Sequence, residues 1–298
     1  MVVRARARAA GAMPAVGLVY PCDALALEAA ARVDDAGIAR PVLIGPADMI
    51  RRAADAACVD AGRFEIVEIG DIAPEAAKHA VALARDGALG ALMKGSLHTD
   101  ELMSAVIHKS TGLRGDTRIS HAFLFDLPRY PKLLAVADCV VNIAPHLPAK
   151  RDILGNAVAL LRTLGIAAPK VGIVAAVETV NPSIPATLDA QALVEMSRRG
   201  AWPGAIVEGP LGFDNAISAE AARTKKIESR VAGDADLLLV PDLNAGNILY
   251  KSFVYLGGAE CAGLVLGARV PIVLTSRADS LASRVASVAL AVLASSPA

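Results

Sequence analysis

The sequence predicts an α/β protein in which parallel strands alternate with helices. From Ala15 onward, short β-branched runs are separated by about one helix's length of alanine-rich sequence. The runs are apolar throughout, as expected of parallel sheets covered on both faces. The chain has 298 residues, 54% of them hydrophobic, which is enough for two domains of ordinary size.

The apolar runs predict seven or more strands, and the segments between most of them have helix-favouring composition. The runs are 16–20, 41–44, 64–69, 91–93, 122–127, 133–137, 171–177, 205–207, 237–240, 263–266 and 272–274. Predicted helices cover 23–35, 47–57, 74–85, 151–164, 188–199 and 280–293, several of them opening on Asp, Ser or Pro.

Two irregular regions set the predicted domain limits. Two apolar runs come close together around Pro128 and Pro131, and proline fits a sheet only at edges or turns, so we place a lobe boundary at Leu127. Residues 1–13 alternate arginine with alanine and contain no acid, and we expect a disordered tail there.

Composition argues against several classes of partner. Thirty basic residues balance thirty acidic ones and only 3% of residues are aromatic, which disfavours nucleic-acid binding. The longest apolar stretches fall short of the roughly 20 residues that span a bilayer. The four cysteines and five histidines show no metal-binding spacing, so we expect reduced thiols, no metal and a cytoplasmic location.

Five polar clusters follow predicted strands, where open parallel sheets present their ligand-binding loops. Common nucleotide-binding, hydrolase and zinc-protease motifs are missing from the sequence. Each cluster is also consistent with plain helix capping or a solvated loop, but arginines and helix N-termini suit phosphate groups. The candidates are Lys94, Ser96 and His98; Arg114 and Arg118; Asn215; Asn244, Asn247 and Lys251; and Ser276, Arg277 and Asp279.

Seven motifs in this order resemble the phosphate acetyl/butyryltransferase family, and the butyryl-type subgroup looks nearer. They are Lys94-Gly95-Ser96, Ala137-Asp138-Cys139-Val140-Val141-Asn142, Val180-Asn181-Pro182, Asp189-Ala190, Glu208-Gly209-Pro210-Leu211, Pro241-Asp242-Leu243-Asn244-Ala245-Gly246-Asn247 and Thr275-Ser276-Arg277-Ala278-Asp279. The resemblance implies two α/β/α lobes like those of isocitrate and isopropylmalate dehydrogenases, an active site in the interlobe cleft, and a homodimer or higher homo-oligomer. It also implies that the last helix returns to the first lobe, giving lobes 14–127 with 276–298, and 128–275.

The implied reaction converts a short-chain acyl-CoA and inorganic phosphate into an acyl phosphate and CoA, with CoA as co-substrate and no permanently bound cofactor. In the family's acetyltransferases, the residues matching Ser276 and Arg277 serve catalysis. A carboxylate thought to deprotonate the CoA thiol matches Ser283 here, so we expect Asp279 to replace it, with Asp242 as the other candidate to accept the thiol proton. A phosphate-binding arginine is missing near Met103, and we expect Arg114 or Arg118 to take its place.

The residue types favour direct attack of phosphate on the thioester in a ternary complex. Such a reaction needs cations for the phosphate and hydrogen bonds for the developing oxyanion. Arg277 cannot accept a proton, so an acyl-serine on Ser276 lacks a local base. The alternatives are an isopropylmalate or hydroxythreonine-phosphate type dehydrogenase and a non-catalytic acyl-CoA-binding relative. Acetyl, propionyl and butyryl groups all remain open.

Overall fold

A computed structural model describes residues 1–11, 13–274, 276 and 279–295, and the chain forms two compact units. The first unit comprises Met1–Ile119 with Ala262–Ala298, and the second comprises Ser120–Cys261. Strands alternate with helices in both, which confirms the predicted α/β fold with mostly parallel sheets. None of the described helices is long and apolar enough to cross a membrane.

The elements of the described residues follow the predicted alternation. The strands are β1 Ala15–Val19, β2 Arg40–Gly45, β3 Glu65–Glu68, β4 Ala91–Lys94, β5 Ser120–Asp126, β6 Leu134–Ala137, β7 Lys170–Val174, β8 Ile206–Leu211, β9 Leu237–Leu239, β10 Glu260–Leu266 and β11 Ile272–Val273. The α-helices are α1 Val2–Ala9, α2 Ala24–Asp35, α3 Ala47–Ala56, α4 Ala73–Arg85, α5 Thr99–Val106, α6 Leu147–Thr163, α7 Pro185–Arg198, α8 Phe213–Ile217, α9 Ala219–Thr224, α10 Leu243–Tyr255 and α11 Leu281–Ala294.

The sheet of the first unit has the strand order β3-β2-β1-β4-β11-β10. All neighbours are parallel except β10 and β11, which form an antiparallel pair. The pairing of β11 with β4 places residues 263–274 in this unit, although the sequence analysis assigns them to the second lobe. An apolar run predicts a strand but not the neighbouring strand with which it pairs. The strands were therefore predicted, but residues 263–274 were assigned to the wrong unit.

The sheet of the second unit has the strand order β5-β6-β9-β7-β8. Strand β5 pairs with β6 in antiparallel register, and the other neighbours are parallel. Because β5 and β6 form this hairpin, the second unit begins at Ser120 rather than after Leu127. Aromatic side chains fill part of its core, where Phe123 stacks on Tyr250 with ring centroids 4.1 Å apart.

The N-terminal segment contains a helix where the sequence predicts a disordered tail. Ala5 and Ala9 are four residues apart, lie on one face of α1 and are buried. Helix α1 packs against α11, and the Arg8 guanidinium donates a 2.9 Å hydrogen bond to the Leu293 carbonyl. The prediction is wrong for Val2–Ala9 because small alanines on one face allow close packing of the two helices.

Candidate functional site

The carboxyl ends of β1, β4 and β11 lie at one edge of the first unit's sheet. Strand β4 pairs in parallel with β1 on one side and with β11 on the other. The segments that follow these strands carry Asp23, Ser96 and Ser276. Loops at the carboxyl edge of a parallel sheet are where α/β proteins bind their ligands.

Ser96 ties the loop after β4 to the loop after β1. Its hydroxyl donates to the Asp23 carboxylate at 2.6 Å and accepts from the Cys22 backbone N–H at 3.0 Å. Asp23 also caps α2 by accepting from the Ala26 N–H at 2.8 Å. The hydroxyl of Ser96 therefore helps to fix both loops.

Gly95 allows the two loops to approach this closely. A Cβ at this position would lie 2.6 Å from the backbone oxygens of Val19 and Tyr20. The Gly95 N–H donates to the Val19 carbonyl at 2.9 Å, and the Ser96 N–H donates to the Tyr20 carbonyl at 2.8 Å. Only glycine fits this contact without a shift of the backbone.

Lys94 is a buried cation at the end of β4. Its ammonium group donates to the carbonyls of Gly95 at 3.2 Å and Leu97 at 3.0 Å. His98 follows at the start of α5, where its backbone N–H donates to the Glu101 carboxylate at 2.7 Å. Lys94 thus supplies positive charge at the edge where the sequence analysis expects phosphate.

Ser276 and Asp279 form a small hydrogen-bonded turn after β11. The Ser276 N–H donates to the Asp279 carboxylate at 2.6 Å, and the Asp279 N–H donates to the Ser276 carbonyl at 3.2 Å. Ser280 then caps α11 by accepting from the Ser283 N–H. Arg277, the third predicted residue of this cluster, lies outside the described residues.

The structure adds Arg284, which the sequence analysis does not single out. Its side chain lies near the start of α11, and the residue is only 4% exposed. The guanidinium donates to the Ser276 carbonyl at 2.9 Å. Burial lowers the pKa of Arg284, whereas the charges of Asp23 and Asp279 act in the opposite direction. Nothing in the sequence distinguishes Arg284 from a solvent-exposed helical arginine, so only the fold reveals its burial.

Arg114 and Arg118 are the two arginines of the loop before β5, and the contacts of Arg114 differ from those of Lys94. The Arg114 side chain donates to the Ile107 carbonyl, and its backbone bridges to Ala268. Ala268 precedes β11, so Arg114 lies at the amino edge of this sheet, opposite the end that carries Lys94. Arg118 is exposed four residues further along the loop. The structure does not bring Arg114 together with Lys94 and Ser276.

In the second unit, Asp138 organises the carboxyl end of β6. Its buried carboxylate accepts the backbone N–H groups of His121 at 3.0 Å and of Val140 and Val141 at 2.9 Å each. The Asn142 side-chain amide donates a fourth bond at 2.6 Å. These four hydrogen bonds fix the turn after β6, so Asp138 stabilises the local structure.

Helix α10 begins beside this turn. Asp242 caps it by accepting from the Ala245 N–H at 3.0 Å. A Cβ on Gly246 would lie 2.5 Å from the Asp138 carbonyl, so glycine is needed there, and the Asn247 amide donates to the Cys139 carbonyl at 3.4 Å. Asn244 and Lys251, the other candidates of this cluster, are exposed on the helix.

His121 is fully buried beside this turn, and neither ring nitrogen has a hydrogen-bond partner among the described residues. Burial lowers its pKa to about 4, while the Asp138 charge raises it. The ring packs edge-on against Phe123 at a centroid distance of 4.5 Å. The imidazole is therefore neutral at pH 7.

Asn215 lies after β8 in a second polar group of this unit. It is buried, and its amide donates to the Glu178 carboxylate at 2.6 Å. The Lys225 ammonium pairs with both Glu178 and Asp214, and its hydrogen bonds lower the pKa of each carboxyl. Glu178 and Lys225 are 47 residues apart, so only the fold reveals this group.

The fold is that of an α/β protein whose polar groups collect at the carboxyl ends of parallel strands, where such proteins bind their ligands. A family model described as "Phosphate acetyl/butaryl transferase" matches residues 70–292. The chain belongs to this family, whose named members are acyltransferases.

Named relatives of both types cover nearly the whole chain. A phosphate acetyltransferase of Rhizobium meliloti is 51% identical over 98% of this chain and 92% of its own length. A phosphate butyryltransferase of Clostridium acetobutylicum is 38% identical over 94% of this chain and 93% of its own length. The chain is therefore similar to named relatives of both the acetyl and the butyryl type.

The solved structures agree with the family assignment. A branched-chain phosphotransacylase from Enterococcus faecalis V583 superposes with a TM-score of 0.84 at 28% identity, covering 95% of this chain and 99% of that chain. A 4-hydroxythreonine-4-phosphate dehydrogenase from Klebsiella pneumoniae gives a TM-score of 0.58 at 16% identity, covering 95% and 98%, respectively. The second likeness shows a shared fold alone, and nothing in the comparisons favours the dehydrogenase alternative.

Proposed function

We propose that the protein is a phosphate acyltransferase that exchanges the CoA of a short-chain acyl-CoA for inorganic phosphate. The observation that carries this proposal is the position of Lys94, a buried basic residue at the end of β4, beside strand β11, whose following segment carries Ser276. Positive charge and hydrogen-bond donors at one sheet edge suit a dianionic nucleophile and a developing oxyanion.

The reaction proceeds by direct attack within a ternary complex. A phosphate oxygen attacks the thioester carbonyl, and the tetrahedral intermediate collapses to acyl phosphate as the C–S bond breaks and CoA leaves as a thiolate. Lys94 and Arg277 hold the phosphate, and the Ser276 hydroxyl bonds the oxyanion or the departing sulfur. CoA is a co-substrate that is bound only during turnover.

In the reverse direction, Asp279 is the group that accepts the thiol proton of CoA. One of its carboxylate oxygens also accepts the Ser276 N–H at 2.6 Å, which keeps the carboxylate beside the serine. Asp279→Asn keeps an oxygen acceptor but loses the base. We expect this variant to retain its fold and to lose about 100-fold in the rate of acyl-CoA formation. A wild-type rate would remove Asp279 from this role.

The remaining candidate residues are proposed to bind phosphate or the CoA part of the acyl-CoA. We assign Ser96, His98 and Arg118 to binding of phosphate or CoA, and the same role is assigned to Asn215, Asn244, Asn247 and Lys251. Arg114 is the weakest candidate because it lies at the amino edge of its sheet. We further propose a homodimer in the cytoplasm.

The test combines butyryl-CoA or acetyl-CoA with phosphate, in the absence of metal and nicotinamide, and follows release of free thiol. The wild type should show phosphate-dependent release, and Ser276→Ala should lose about 100-fold or more in kcat. Ser110→Ala, which changes an exposed loop serine, is the matched control. Binding of acyl-CoA without thiol release would instead favour a non-catalytic acyl-CoA-binding protein.

A further inference from the structure

Arg284 is buried at the carboxyl edge of the first unit, where its side chain contacts the segment that follows β11. Its Nη2 donates to the Ser276 carbonyl at 2.9 Å, and its Nε approaches the Asp279 carbonyl at 3.5 Å. A guanidinium presents several donors in one rigid plane, so it can hold neighbouring carbonyls together. These contacts span the turn that carries Ser276.

The Asp23 carboxylate, in the loop after β1, adds a charge that acts on the same guanidinium. Its charge favours the cationic form of Arg284, and its Oδ2 accepts the Ser96 hydroxyl at 2.6 Å. A buried cation is costly unless charges and hydrogen bonds compensate for its lost hydration. The two carbonyls and the charges of Asp23 and Asp279 offset only part of this cost, since burial still lowers the pKa of Arg284.

We infer that Arg284 is a positioning residue that holds the Ser276 turn in its working geometry. This inference rests on the proposed acyl transfer. It assigns no contact between Arg284 and substrate, since the guanidinium is directed at backbone carbonyls and acts through Ser276. Because reacting groups must be held to within a fraction of an ångström, loss of this support should lower kcat rather than raise KM.

Two substitutions separate positioning from charge. Arg284→Met keeps much of the side chain's length but removes every donor, whereas Arg284→Lys keeps the charge without the planar fork. We expect kcat to fall about 100-fold in Arg284→Met and about tenfold in Arg284→Lys, with KM for phosphate and acyl-CoA within about threefold of wild type. Arg51→Met, which alters an exposed arginine of the same unit, should change neither constant.

Amide hydrogen exchange tests the contact without requiring activity. The Ser276 and Asp279 N–H groups are bonded within the turn, so their exchange should accelerate about tenfold or more in both Arg284 variants and not in Arg51→Met. If the wild type shows no phosphate-dependent release, the proposed function fails, and exchange alone decides whether Arg284 orders the turn.

The outcomes that overturn the inference are specific. Wild-type kcat in Arg284→Met, or wild-type exchange at Ser276 and Asp279, would show that Arg284 does not position the turn. A rise in KM with unchanged kcat would assign Arg284 to substrate binding instead. Should Arg284→Met fail to fold, Arg284→Lys carries the test, and full wild-type kcat with wild-type exchange in that variant contradicts the inference.

Discussion

A single methyl group at Gly95 should disrupt the carboxyl edge of the first unit. In Gly95→Ala, the new Cβ would lie 2.6 Å from the carbonyl oxygens of Val19 and Tyr20 and 2.8 Å from the Pro21 Cα. Real Cβ contacts essentially never fall below 3.0 Å, so the loop must move by at least 0.4 Å, from 2.6 to 3.0 Å. All three neighbours are backbone atoms and cannot rotate away.

The cost follows from that displacement. Overpacking of this kind destabilises proteins by about 1–3 kcal/mol. The movement also strains the hydrogen bonds from the Gly95 and Ser96 N–H groups to β1 and its loop. Since a displacement of about 1 Å costs about 100-fold in rate, a shift of roughly half that size should lower kcat about tenfold.

Urea unfolding and the phosphate-dependent thiol assay measure the two effects. Gly70→Ala is the matched control, because a Cβ there meets no atom within 4 Å. We expect the control to leave kcat unchanged and stability equal or slightly higher. If Gly95→Ala matches the control in both unfolding free energy and kcat, the close approach of the two loops is not what positions the site.

Three further predictions concern stability. Burial lowers the pKa of His121 to about 4 from 6.5, so the unfolded state binds the proton first and wild-type stability falls as pH drops through this window. In His121→Phe, the drop in unfolding free energy between pH 7 and pH 4, measured by urea titration, should be smaller than in the wild type by up to about 3 kcal/mol. An equal drop in both proteins would contradict this assignment to His121. Asp138→Asn should cost about 3 kcal/mol because four donors face its carboxylate, whereas exposed Asp126→Asn should cost little in the same titration. Ala5→Glu should lower Tm by several degrees in calorimetry because it buries a charge between α1 and α11, whereas Val3→Glu, at an exposed position, should not. Equal Tm values for the two variants would show that packing of α1 contributes little to stability.

The strands were the most predictable part of the fold. Runs such as 41–44 and 237–240 are apolar throughout because both faces of a parallel sheet are covered. Pairing was not predictable, since the antiparallel pairs β5–β6 and β10–β11 depend on contacts between strands rather than on the runs themselves. The domain boundary was misplaced for this reason.

Short helices and buried charges set the other limits. Helix α5 is only eight residues long and begins with the polar residues Thr99 and Asp100, so its periodicity is weak. Arg284 resembles any helical arginine in sequence, and its role depends on carbonyls five to eight residues away. Lys94, Ser96, Ser276 and Asp279 could be singled out as candidates because they lie at or after the ends of predicted strands, where position along the chain predicts position in the sheet.

The most direct test of the central claim is the stoichiometry of the products. Purified protein is incubated with acyl-CoA and phosphate, the released CoA is measured as free thiol, and acyl phosphate is trapped with hydroxylamine and quantified. Phosphate acyl transfer predicts one acyl phosphate for each CoA released and no release without phosphate. Release of CoA without matching acyl phosphate would show that water, not phosphate, attacks the thioester, and would contradict the proposed function.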